Sequence, residues 1–116
     1  MGNSLIKKIF EKTKRENRPA LITYTVAGDN TKKQSLKILK SISKFADICE
    51  LGFPHNTPIA DGGQIQSSSY RALKNGIKIK DVFNISLSFF ASPHELTMII
   101  VSLLNFGAIF MASAKA

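Results

Sequence analysis

The sequence predicts an α/β protein built on a parallel sheet. Stretches rich in β-branched and aromatic residues alternate with stretches whose apolar residues recur at helical spacing. Gly, Pro, Asn and Asp punctuate the junctions. The chain has 116 residues, 44% of them apolar and 21% charged. That suits one domain with a packed core and is too short for a complete (β/α)8 barrel of about 250 residues.

Residues 4–16 read as a helix. Ser4 is placed to cap it, and Leu5, Ile6, Ile9 and Phe10 form one apolar stripe. Asn17-Arg18-Pro19 ends it, because the residue before a proline avoids the helical region. Residues 20–26 read as a strand by β-propensity, and Ala27-Gly28-Asp29-Asn30 as a turn. Residues 31–45 form a second helix, with Leu36, Ile38, Leu39, Ile42 and Phe45 inward and lysines at 32, 33, 37, 40 and 44 outward. Residues 47–51 are a second short strand. Gly52 to Gly63 holds three glycines and two prolines and reads as a loop. Helix returns over 64–74, stopped by Asn75-Gly76. A further helical pattern covers 79–90 through Val82, Phe83, Ile85 and Leu87.

Strand–helix–strand order implies βαβ units, whose strands end on a common edge where ligands bind in such folds.

The final segment differs in kind. Leu96 to Ala114 carries no charge, and Ser92-Pro93-His94-Glu95 before it has the form of a capping box. An apolar C-terminal helix is expected there. Nineteen residues barely span a bilayer, and Thr97, Ser102, Asn105, Gly107 and Ser113 interrupt them. A buried segment is therefore expected in preference to a membrane span.

Net charge is +8, and it is uneven. Residues 1–44 hold 11 basic and 3 acidic side chains, whereas residues 81–116 hold one and two. Two Lys-rich helices with solvated faces account for this. No nucleic-acid docking motif accompanies the lysines, so nucleic acid is not an expected partner. Cys49 is the only cysteine, which excludes an internal disulfide and fits a reducing, cytoplasmic compartment. Cys49, His55 and His94 share no metal-ligand spacing, and no phosphate-binding glycine motif or serine elbow is present.

The chemistry concentrates in the stretch from Glu50 to Gln66. Glu50 lies at the C-terminal end of a strand between apolar neighbours, where partial desolvation would raise its pKa and suit it to proton transfer. Asp61 lies eleven positions on, beside Ala60 and Gly62, which leave room for a ligand. Two carboxylates in different environments can divide acid and base roles. From spacing alone, two surface-loop acids are the more ordinary reading.

Glu50-Leu-Gly-Phe-Pro-His-Asn-Thr-Pro-Ile-Ala-Asp61-Gly-Gly-Gln-Ile-Gln66 resembles the tryptophan synthase alpha subunit family. That family runs Glu-Leu-Gly-x-Pro-x-Ser-Asp-Pro-x-Ala-Asp-Gly-Pro-x-Ile-Gln here. The stretches from Leu21 to Asp29, from Ser35 to Ile48 and from Arg71 to Val82 resemble its flanking elements, so the likeness covers roughly residues 5–86. Asn56-Thr57 stand where the family has Ser-Asp, Gly63 where it has proline, and His55 where it has an aromatic residue.

The resemblance implies a partial (β/α)8 TIM barrel, with two βα units in residues 1–86 and an unmatched apolar tail over 87–116. It implies a lyase of tryptophan biosynthesis that cleaves indole-3-glycerol phosphate to indole and glyceraldehyde 3-phosphate without a cofactor of its own. By the same resemblance Glu50 is the general acid/base, and Asp61 holds the indole N–H. Tyr24 lines the indole pocket, and Gly52 and Pro54 shape the loop that meets the beta subunit. The alternative is a truncated, catalytically inactive relative that keeps the beta-subunit contact.

Overall fold

The structure is a computed structural model that describes residues 2–56, 62–91, 98–103 and 107–111, with side chains described from residue 5 to 56 and 62 to 91. Asp61 and the Ser92–Glu95 motif lie outside the described residues.

The element order is α1 (Gly2–Arg15), β1 (Ile22–Val26), α2 (Lys32–Ser43), β2 (Ile48–Gly52), α3 (Gly63–Lys74), α4 (Ile79–Phe90), β3 (Met98–Leu103) and β4 (Gly107–Met111). The sheet runs β1-β2-β3-β4. The first three strands are parallel and β4 is antiparallel to β3. Helices linking successive parallel strands are the repeating unit of the expected barrel.

The apolar C-terminal helix is replaced by strands β3 and β4. Val101 and the three isoleucines of the segment are β-branched residues that favour strand. An uncharged run lacks the polar positions that separate a buried strand from a buried helix, so its period is illegible.

Local chemistry explains the remaining elements. Thr31, extended at φ −137°, caps α2 by accepting the Gln34 N–H at 3.0 Å. Lys78 N–H donates to the Asp81 carboxylate at 2.8 Å, which starts α4. Asn17 and Gly76 take positive φ at the exits of α1 and α3, the left-handed step that closes a helix.

The main core lies between the sheet and the helices. Cys49, Leu51, Leu39, Ala72, Val82, Ile85 and Phe89 are buried in one cluster. A smaller cluster joins Ile9 of α1 to Ile48 of β2. Two expected core residues face out. Phe10 is 46% exposed, and Thr13, one turn beyond Ile9, is buried instead. Phe45 is 79% exposed because α2 ends at Ser43; Leu39, Ser43 and Ala46 keep the buried phase.

Candidate functional site

Parallel pairing of β1 with β2 aligns Tyr24 with Glu50 and Val26 with Gly52. Side chains alternate between faces along a strand, so Glu50 points away from Cys49 and Leu51. Those two are fully buried under the helices. Tyr24 and Glu50, both half-buried, thus share the opposite face. At the N-terminal end of that face α1 covers Ile48 through Ile9, Leu5 and Ile6. The C-terminal ends of the strands lie at the opposite end of that face.

Glu50 differs from the other acids. Among the described residues, Glu11, Glu16, Asp29, Asp47 and Asp81 each pair with a basic side chain. Glu50 takes part in no such pair among them. It sits at the third position of β2, two residues short of the strand's end.

Gly52 lies directly beneath the Tyr24 ring. A Cβ built on it would fall on the phenol oxygen and 2.5 Å from Cζ. The chain then leaves the strand through Phe53, which is buried and meets Phe83 edge to face at 5.6 Å between centroids. Pro54 and His55 are half-buried beyond it. The structure therefore brings Tyr24, Glu50 and Gly52 together, with Pro54 next to them in the exit loop.

The supporting residues escaped sequence reading. Arg71 of α3 donates from Nε and Nη2 to the Asp29 carboxylate at 2.7 and 2.8 Å, and Ser68 Oγ donates to it at 2.6 Å. The loop after β1 is thereby fastened to α3. Arg71 and then Ser68 hold the Asp29 carboxyl below its ordinary pKa, against a desolvation that opposes them. Gly28 N–H donates to Ser35 Oγ at 3.0 Å, and Asn75 donates to the Asn30 carbonyl. These partners are dozens of residues apart for Asp29, so no local pattern announces them.

Cys49 is buried, and desolvation pushes its thiol pKa up, so it is not poised as a nucleophile. Among the described residues no cluster of three His, Cys, Asp or Glu could hold a metal, and no helix is long and apolar enough to cross a membrane.

The profile of the tryptophan synthase alpha chain family matches residues 10–114. The match runs through residues 87–114, past the motifs that end near 86. A curated tryptophan synthase alpha chain of Pelagibacter ubique is 69% identical over 102 residues, covering 88% of this chain and 38% of the relative. Tryptophan synthase subunit alpha of Legionella pneumophila superposes with a TM-score of 0.74 at 32% identity, covering 84% of this chain and 37% of that one. A Pyrococcus furiosus chain, solved in work on mutual activation of a tryptophan synthase α2β2 complex, gives 0.64 at 40% identity, covering 71% and 35%. The chain spans well under half the length of these relatives.

Proposed function

Since the chain belongs to the tryptophan synthase alpha chain family, we propose that it supplies the acid/base strand of a lyase that cleaves indole-3-glycerol phosphate to indole and glyceraldehyde 3-phosphate. Glu50 is the general acid/base. Its carboxylic acid form protonates the indole ring carbon that carries the glycerol chain, and the carboxylate so formed accepts the proton released as the side-chain hydroxyl becomes a carbonyl. Breaking that carbon–carbon bond leaves the indole and the aldehyde, so protons and electrons balance without an oxidant. Asp61 holds the indole N–H and stabilises positive charge as it develops on the ring. Tyr24 lines the indole side. Gly52 and Pro54 shape the loop presented to a beta subunit that takes up the indole. A cytoplasmic location follows from the biosynthetic role.

The observation that carries this reading is Glu50, half-buried and in no ion pair among the described residues, in register with Tyr24 on a parallel sheet. Indole release from indole-3-glycerol phosphate, with beta subunit present, is the direct test. Glu50→Gln should abolish it while the circular dichroism spectrum is unchanged. Full turnover in that variant would refute the assignment.

A second reading is that this stretch binds the beta subunit without turning over substrate. Co-purification with a beta subunit, together with no indole release from the unsubstituted chain, would select it.

A further inference from the structure

We infer that Gly52 is a positioning residue: it seats the Tyr24 phenol beside Glu50 at the C-terminal edge of the sheet. Its functional meaning rests on the lyase reading above, while the contact itself does not.

Glycine inside a strand weakens it and marks a bulge or a close approach. Gly28 and Gly76 have positive φ, which explains them, whereas Gly52 does not. Its backbone is ordinary strand in unbroken register with Val26 and Ser102. What distinguishes the position is the ring above it. A methyl on Gly52 would overlap Tyr24 Oη and lie 2.5 Å from Cζ and 3.1 Å from Cε2. Oη is fixed to the rigid ring that holds Cζ and Cε2, so the whole side chain would have to leave its rotamer.

The missing side chain has a directional effect. Tyr24 starts level with Glu50, yet its hydroxyl ends level with Gly52, two residues nearer the C-terminal edge. The ring therefore leans along the strand and offers an apolar face with a polar tip where a ligand enters. That combination suits a flat aromatic heterocycle. Any side chain at position 52 would turn the ring away and remove that wall.

The test uses a Tyr70→Phe background, in which Tyr24 is the only tyrosine of a chain without tryptophan. Tyr70 is exposed, so its replacement is mild. Nuclear magnetic resonance reports the Tyr24 ring, and titration with indole reports binding. Gly52→Ala should move the ring resonances and weaken indole binding by about tenfold, as a misplaced contact does. Tyr24→Ala should weaken binding similarly, and adding Gly52→Ala to it should change little more. Unmoved resonances, or fully additive losses, would overturn the role. If Gly52→Ala alone does not fold, the Tyr24→Ala/Gly52→Ala pair should fold, because the clash is gone; failure of the pair would also overturn it. A Glu50→Gln variant with full turnover would remove the lyase reading and leave the ring shift in place, so the two failures are distinct.

Discussion

Arg18 grips Asp47 with two nitrogens, Nη1 to Oδ2 at 2.8 Å and Nη2 to Oδ1 at 2.9 Å. The same carboxylate accepts the Leu21 N–H at 2.8 Å, and Glu16 steadies the guanidinium from its other side at 2.7 Å. One buried acid thus joins the exit of α1, the entry to β1 and the entry to β2. It fixes the register that places Tyr24 opposite Glu50.

That junction predicts acid sensitivity. The hydrogen bonds from Arg18, with help from Leu21 N–H, hold the Asp47 carboxyl at about 2 despite its desolvation. An unfolded aspartate titrates near about 3.9. The folded state therefore binds the proton less readily, so the stabilisation is complete above about pH 4 and is lost as pH falls through about 2. Urea unfolding followed between pH 6 and pH 2 should show this loss. Asp47→Asn should flatten the slope, leaving the smaller part due to Asp29 and Asp81, whose carboxyls are also held low. Asp47→Ala should cost about 1–3 kcal/mol at neutral pH, because it strands a buried N–H and the guanidinium.

The Asp29–Arg71 pair predicts a smaller effect, because half of Arg71 is in solvent and exposed ion pairs are screened. Asp29→Asn should lower the melting temperature by about 4 °C. Raising salt to 1 M should shrink the difference between variant and parent. A difference that survives salt would assign the loss to the Ser68 hydrogen bond instead.

Much of this was legible in the sequence, and the reasons are local. Strand 20–26 is found as Ile22–Val26, and the pattern over 79–90 as α4 at Ile79–Phe90; apolar spacing and turn chemistry suffice for both. The placement of Glu50 and Tyr24 on one face follows from period-2 alternation once parallel pairing is assumed. What local pattern cannot reach is contact across many residues. Asp29 with Arg71 and Arg18 with Asp47 join charges whose neighbours in sequence say nothing of the partner. Residues 98–111 failed for another reason: a stretch without charge has no polar face to reveal its period.

Gly28 should tolerate no side chain. Its φ of +83° belongs to the left-handed region, and a Cβ would come within 2.5 Å of Ile77 Cδ1. Gly28→Ala is expected to destabilise by about 1–3 kcal/mol through backbone strain and crowding together. Pairing it with Ile77→Val removes the Cδ1 contact but leaves Cγ1 at 2.8 Å, so it should recover only part of the crowding. Complete recovery in the double variant would show that the positive φ costs nothing here.

Phe53 links packing to the site. It is buried against Phe83 of α4, edge to face, immediately after Gly52. Truncation to alanine should cost about 3–5 kcal/mol, the range for a buried aromatic. Because Phe53 fixes the first residue of the loop that leaves the acid/base strand, milder loosening should be read in ligand binding before stability. Phe53→Leu keeps most of the volume and loses the ring contact. It should reduce stability by less than about 1.5 kcal/mol while weakening indole affinity several-fold. Equal proportional losses in Phe53→Leu and in a core variant far from the loop, such as Leu39→Met, would show that Phe53 serves stability alone.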